Sequence, residues 1–208
     1  MTEGTRRLSM LRSYTPADML TLANASCGTL SVFACLSYIE DDRSSVLWIA
    51  FLLPVFALAF DVADGYVARL SARRQSRIGA DLDSLADIVS FGVAPAVLGY
   101  TLGLRGLWDV LLLTYFVCCG ISRLARFNVT SDALTNVATG KVGYFEGTPI
   151  PTSILLVLVL AALHQLGLTG GAFPLGSVHL AGKAFHPFSL LYFASGSLMI
   201  STIHVPKP

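Results

Sequence analysis

Charge is what this sequence has least of. Lys, Arg, Asp and Glu make up 13% of its 208 residues, against ~25% in a typical soluble domain. Hydrophobic residues make up 54% and mean hydropathy is +0.67. Those values exclude a disordered chain and argue against an ordinary soluble one. A net charge of +1 leaves no global basic field to attract nucleic acid. Four cysteines are too few for a disulfide scaffold. Cys27 and Cys35 share one apolar run and Cys118 and Cys119 another, without metal-ligand spacing, so they read as small buried hydrophobes. The 18 glycines and 9 prolines do not support a collagen-like or low-complexity chain. The opening stretch MTEGTRRLSMLRSYTP is basic but lacks a short apolar core with a cleavage site, so no cleaved signal peptide is expected. There is no internal repeat, and no Ser-His-Asp or Cys-His set is evident. His164, His179, His186 and His204 are scattered and read as loop or interface residues.

Long apolar runs are what the chain does have. A membrane-spanning helix needs ~20 mostly apolar residues, and six stretches qualify: roughly 19–39, 46–70, 79–101, 107–127, 149–168 and 186–204. Pro16 and Asp18 fit the start of the first. Residues 40–43 form a polar turn, 71–77 a basic loop, 128–148 a polar connection and 169–185 a Gly-rich surface loop. Trp48 and Trp108, near helix starts, read as interfacial anchors. Placing the N-terminus and every second connection on one side gives that side 11 Lys and Arg residues and the other 3, Arg43, Arg105 and Lys183. By the positive-inside rule both termini are expected in the cytosol. The segment around Arg6, Arg7, Leu8, Met10, Leu11 and Tyr14 fits either a short interfacial helix or a disordered basic tail.

The second run ends unusually. Asp61, Asp64, Gly65 and Ala68 fall at i, i+3, i+4 and i+7, one helical face, and Arg69 follows. After the basic loop, Gly79, Asp83 and Asp87 recur every four residues, again on one face, with Asp81 off it. Two antiparallel helices joined by a short loop bring such faces together. Four ionised, unpaired aspartates deep in a bilayer would cost on the order of 10–14 kcal/mol. They are therefore expected near the interface, in a wet cavity, sharing protons, or on cations. Converging hard oxygen donors suit Mg²⁺ or Mn²⁺ and, through the ions, a phosphate-bearing substrate. Gly65 and Ala68 remove side chains where a bulky ligand approaches the backbone. Pairing of the aspartates with Arg69, Arg73, Arg74 and Arg77 is the plainer explanation, and two ordered faces of aspartates weigh against it.

These residues resemble the signature of the CDP-alcohol phosphotransferase family, D-x2-D-G-x2-A-R, a spacer, then G-x3-D-x3-D. All eight defining positions are present, with a spacer of nine residues. GADLDSLADIVSFGVAP at 79–95, CGISRLARFNV at 119–129 and YFEGTPIP at 144–151 are similar to the family's phosphatidylserine-forming branch, and the region from His186 to Pro208 to its fungal form.

The resemblance implies an all-α membrane bundle of six transmembrane helices with both termini cytosolic. One catalytic domain would cover 1–208, with 1–17 a juxtamembrane segment and 18–208 the bundle. It implies attack of the L-serine hydroxyl on the β-phosphorus of CDP-diacylglycerol, with CMP leaving. It implies two ions, Mn²⁺ or Mg²⁺, one held by Asp61, Asp64 and Asp83, the other by Asp61, Asp83 and Asp87. Asp87 is the implied general base. Asp61, Gly65, Ala68, Arg69 and Gly79 would bind the CDP moiety. For serine, Arg123 and Arg126 suit the carboxylate through paired hydrogen bonds and Glu146 the ammonium, with Phe127, Asn128 and Asn24 as further candidates. The two arginines and Asn24 also have a bland role: a snorkelling anchor for the arginines, helix–helix hydrogen bonding for Asn24. An endoplasmic-reticulum membrane enzyme that pairs as a homodimer is the implied setting. The alternatives are a family member with another acceptor (inositol or glycerol phosphate), an archaeal-type lipid donor, or more remotely a metal or proton transporter.

Overall fold

The computed structural model describes residues 15–70, 77–135, 144–201 and 204–206; at 68–70, 77–78, 130–135, 144–146 and 204–206 it describes the backbone alone. Helix α1, Pro16–Asp41, starts where local chemistry dictates. The Asp18 N–H donates to Thr15 Oγ1 (3.3 Å), the Thr15 N–H donates to Asp18 Oδ2 (2.7 Å), and Pro16 fills the first turn, where no N–H is needed. It ends at Asp42, in the left-handed region at φ 51°, whose N–H closes on the Tyr38 carbonyl. Helix α2, Ser44–Leu70, returns antiparallel and shares with α1 the most extensive helix contact in the fold.

The next span is interrupted. Helix α3, Arg77–Asp87, passes into a π-helical segment, Ile88–Val93, and then into α4, Ala94–Thr101. The π segment ends just ahead of Pro95, which has no N–H to return and whose ring crowds a regular preceding turn. Helix α5, Leu107–Thr135, follows. A 3₁₀ turn, Ile150–Ser153, leads into α6, Ile154–Gln165; another, Pro187–Ser189, leads into α7, Leu190–Met199.

Among the described residues, four helical stretches are long and apolar enough to cross a membrane: Pro16–Asp41, Ser44–Val67, Gly79–Thr101 and Leu107–Val129. The chain is therefore read as an integral membrane protein. The fifth and sixth expected stretches are helical but short, Ile150–Gln165 and Leu190–Met199.

The molecule is mostly helical but not purely so. Strand β1, Tyr144–Glu146, pairs antiparallel with β4, His204–Pro206, with Phe145 opposite Val205. Strands β2, Val178–Leu180, and β3, Lys183–Phe185, form a hairpin inside the stretch expected to be a loop. Its two turn residues, Ala181 (φ 51°) and Gly182 (φ 73°), both have the positive φ that a tight hairpin turn demands. The 128–148 stretch also departs from a simple connection: α5 continues to Thr135, because Asn128 to Thr135 contains neither Gly nor Pro to stop it.

Packing follows membrane logic. Lipid is as apolar as a leucine side chain, so helices approach through small and polar faces. Helix α1 buries Thr21, Asn24, Gly28, Ser31 and Cys35, while Leu30, Phe33, Leu36 and Ile39 stay exposed. One contact on this face answers a specific defect. Pro54 lies inside α2, so the Ala50 carbonyl loses its partner four residues on. Ser31 Oγ, from α1, donates to that carbonyl at 2.7 Å, and both residues are fully buried. On the other side of the bundle, Tyr192 is fully buried and its hydroxyl donates to the Pro95 carbonyl at 2.7 Å.

Candidate metal centre

The last turns of α2 and the whole of α3 carry the aspartates, and α1 packs against both helices. Spacing of four along α3 stacks Asp83 beneath Asp87. One carboxylate oxygen from each of Asp61, Asp83 and Asp87 lies within 4.8 Å of the others. Among the described residues no other group of three His, Cys, Asp or Glu closes in this way. Asp87 is buried, Asp61 and Asp83 half-buried. Asp83 Oδ1 is buried and has no hydrogen-bond partner among the described residues.

Three ionised carboxylates this close repel one another. At 4.8 Å and an effective dielectric near 20, each pair costs about 3 kcal/mol. Arg123 of α5 offsets part of this, through its electrostatic interaction with Asp87. Oxygens on opposite sides of a Mg²⁺ or Mn²⁺ ion bound at about 2.1 Å sit about 4.2 Å apart. The spacing, the hard donors and the orphaned Asp83 oxygen therefore fit a divalent cation.

Asp64 stands beside this group and is not one of the three. It is buried, and its Oδ2 accepts from Thr21 Oγ1 of α1 at 2.8 Å. Asp87 is held in the same way: Asn24 Nδ2, also from α1, donates to its Oδ1 at 3.2 Å. Asn24 is fully buried, and its own Oδ1 has no partner among the described residues. Ser90 Oγ, in the π segment, donates to the Asn24 main-chain carbonyl at 2.9 Å.

Of the residues expected at the CDP moiety, Gly65 is half-buried, and a Cβ added there would meet nothing within 4 Å. Open space thus adjoins the carboxylates at that position. Gly79 lies one turn before Asp83 on α3. The side chains of Ala68 and Arg69, and most of the basic loop, 71–76, lie outside the described residues.

The residues expected at serine divide. Arg123 is half-buried and interacts electrostatically with Asp87, and its Nε is buried without a hydrogen-bond partner among the described residues. Arg126 and Phe127 are exposed at the same end of α5. Asn128 turns to α3 instead: Ser84 Oγ donates to its Oδ1 at 3.1 Å, and its Nδ2 reaches Asp81 Oδ1 at 3.5 Å. Glu146 lies on β1, with its side chain outside the description. Thr21 and Ser90 were not foreseen at the site. The signal for Thr21 was present: Thr21, Asn24, Gly28 and Ser31 mark one face of an otherwise apolar helix.

The far end of the bundle has its own polar pair. The Asp109 carboxylate, fully buried, accepts from the N–H groups of Gly106 and His186 and lies 2.6 Å from His186 Nδ1. His186 is therefore an anchoring residue for the segment that leaves the β2–β3 hairpin. Trp108 Nε1, expected as an interfacial anchor, donates to the Leu180 carbonyl of that hairpin at 3.0 Å.

The CDP-alcohol phosphatidyltransferase family description matches residues 14–192. The chain is 40% identical over its whole length to the CDP-diacylglycerol–serine O-phosphatidyltransferase of Saccharomyces cerevisiae, covering 76% of that protein. It is 33% identical over 91% of its length to the archaetidylserine synthase of Methanothermobacter thermautotrophicus, covering 69% of it. It is 32% identical over 93% of its length to the CDP-diacylglycerol–serine O-phosphatidyltransferase of Helicobacter pylori, covering 73% of it. No solved structure matches the chain. With an aspartate group of metal-binding dimensions seated on the family's own signature positions, and a match that runs almost from end to end, the chain belongs to the CDP-alcohol phosphatidyltransferase family.

Proposed function

We propose that this chain is a phosphatidylserine synthase, which transfers the phosphatidyl group of CDP-diacylglycerol to the hydroxyl of L-serine and releases CMP. The observation that carries the reading is the Asp61–Asp83–Asp87 group, in a chain whose full-length relative is named for that transfer.

In this reading Asp61, Asp64 and Asp83 hold one Mg²⁺ or Mn²⁺ ion, and Asp61, Asp83 and Asp87 a second. Bound there, such ions neutralise the pyrophosphate and the departing CMP. The rest falls to the chain's own residues. Gly65, Ala68, Arg69 and Gly79 leave room for and brace the nucleotide beside Asp61. Asp87, steadied by Asn24, takes the hydroxyl proton as the serine oxygen bonds to the β-phosphorus and the bond to the CMP oxygen breaks. A metal-bound carboxylate is a weak base, so the proton moves late in the displacement. Arg123, with a buried unpaired Nε, grips the serine carboxylate. The unpartnered Asn24 Oδ1 accepts from its ammonium or hydroxyl. Arg126, Phe127, Asn128 and Glu146 form the outer wall of the serine pocket.

The architecture proposed with this function is one domain over 1–208, with six spans and both termini cytosolic. Helices α6 and α7 complete the bundle, supported by their exposed apolar faces at Leu155, Leu158, Leu191 and Phe193. The 11-to-3 distribution of Lys and Arg supports a cytosolic site. An endoplasmic-reticulum membrane and a homodimer are proposed with it, as the setting the family resemblance implies. A transporter reading is disfavoured because the four signature aspartates gather at one end of the bundle, while the buried Asp109 at the other end is taken up by Gly106 and His186.

Purified protein given CDP-diacylglycerol and a panel of alcohols tests the reading. CMP release is expected with L-serine, and not with inositol or glycerol 3-phosphate, and EDTA should abolish it. The archaetidylserine synthase relative makes an archaeal-type ether lipid donor the comparison to include. Release driven by another alcohol in preference to serine would overturn the acceptor assignment.

A further inference from the structure

The carboxylate site sits next to an irregularity that its chemistry alone does not require. Immediately after Asp87 the helix leaves α geometry for the six-residue π segment Ile88–Val93, and the Ala94 N–H closes on the Val89 carbonyl, five residues back. Such segments are rare and recur at functional sites. Pro95 accounts for a disturbed turn here. It does not account for what the widened turn presents to α1.

From this geometry we infer that Ser90 and Gly28 are positioning residues, which fix the register of α1 against the π segment and so hold Asp87, through Asn24, at the carboxylate group. Asn24 is tied twice to the same span. Its side-chain amide donates to Asp87 Oδ1 at 3.2 Å, and its main-chain carbonyl accepts from Ser90 Oγ at 2.9 Å. Asn24 and Ser90 are both fully buried, which shields both bonds from bulk solvent. The two anchor points, three residues apart along the span, fix both the height and the rotation of Asn24 relative to Asp87.

Gly28 makes the contact possible. It lies one turn beyond Asn24 on the same face of α1. A Cβ added there would lie 2.5 Å from Ser90 Oγ and 2.7 Å from Ser90 Cα. The second neighbour is backbone, which no rotamer change removes. Any side chain at 28 therefore drives the two helices apart, and the Asn24–Asp87 bond lies one turn from that wedge. Gly28 permits the approach, Ser90 locks it, and Asn24 carries it to the carboxylate.

The inference rests on reading Asp87 as a metal-binding carboxylate, and the experiment separates the two. Purified full-length protein is titrated with Mn²⁺ while the electron paramagnetic resonance signal of the free ion is followed, and kcat and both KM values are measured in parallel. Ser90→Ala keeps the volume and removes one hydrogen bond. It should weaken Mn²⁺ binding and lower kcat by about 3- to 10-fold, the range of one buried hydrogen bond, with the KM for CDP-diacylglycerol little changed. Gly28→Ala should have the larger effect on both readouts; because it can also impair folding, Ser90→Ala decides. Parent protein that binds Mn²⁺ and Ser90→Ala that matches it in Mn²⁺ affinity and kcat per folded molecule would overturn the inference, even if Ser90→Ala melts at a lower temperature. Parent protein that binds no Mn²⁺ would remove the metal reading, and the lock with it.

Discussion

Asn24 and Asp87, 63 residues apart in sequence, are joined by a 3.2 Å hydrogen bond from the amide of one to the carboxylate of the other. The bond crosses from the first helix of the bundle to the third span. It ties Asn24, read from the sequence as a serine-pocket candidate or a helix–helix hydrogen bonder, to the carboxylate group. Residues that orient metal ligands typically matter 10- to 100-fold for metal affinity or activity. Asn24→Ala is therefore expected to lower kcat by about 10- to 100-fold and to raise the metal concentration needed for half-maximal activity. Steady-state kinetics across a Mn²⁺ series checks both.

The Ser31–Ala50 bond supports a second prediction, about stability. Ser31→Ala leaves the buried Ala50 carbonyl without a donor, because Pro54 has no N–H to give it. An unsatisfied buried group costs about 1–3 kcal/mol. Pro54→Ala restores an N–H inside α2 and should make the Ser31→Ala change much milder. Thermal unfolding of the two single variants and the double variant in one detergent would show this as non-additivity. Additive losses would mean that Ser31 does not act on the carbonyl Pro54 leaves open.

Serine recognition should depend more on Arg123 than on Arg126, because Arg123 is half-buried and interacts electrostatically with Asp87, whereas Arg126 is exposed. A hydrogen bond to a charged group contributes about 1.5–3 kcal/mol, so Arg123→Ala should raise the serine KM by roughly 10- to 150-fold. Arg126→Ala should raise it less, and neither should move the CDP-diacylglycerol term as far. Arg123→Lys should stay impaired, since an ammonium cannot reproduce the two-point grip of a guanidinium. Varying each substrate separately decides it. If only the CDP-diacylglycerol term falls, these arginines belong to the nucleotide or lipid site.

The basic loop at 71–77 should face the cytosol. A glycosylation acceptor inserted there should stay unmodified in intact membranes, and its modification would reverse the proposed orientation.

Much of this was legible in the chain, and what was not has physical causes. Asp61, Asp83 and Asp87 were readable because membrane helices rarely carry aspartates, and spacings of three and four show which of them share a face. The start of α1 was readable from Pro16 and Asp18, since capping is a local effect. Asp64 was read with the other three from spacing; that its Oδ2 accepts from Thr21, 43 residues away, is what no local rule supplies. The π segment left no period of its own; it depends on Pro95 together with α1 packed against Ser90. The hairpin at 178–185 was hidden in a Gly-rich stretch, because Ala181 at positive φ is not a turn signal that composition reveals. Asn128 was placed with serine by its motif, whereas its hydrogen bonds tie α5 to α3 through Ser84 and Asp81.

The central claim is that Asp61, Asp83 and Asp87 form a cation site that drives the transfer to serine. Asp83→Asn tests it most directly, because Asp83 has the orphaned buried oxygen and stands in both proposed ion shells. The measurement is serine-dependent CMP release by purified parent and Asp83→Asn protein across a Mn²⁺ titration carried to saturation, with folding checked by thermal unfolding. The account predicts folded Asp83→Asn protein with no measurable CMP release at any Mn²⁺ concentration. Near-normal turnover at saturating Mn²⁺ would contradict it.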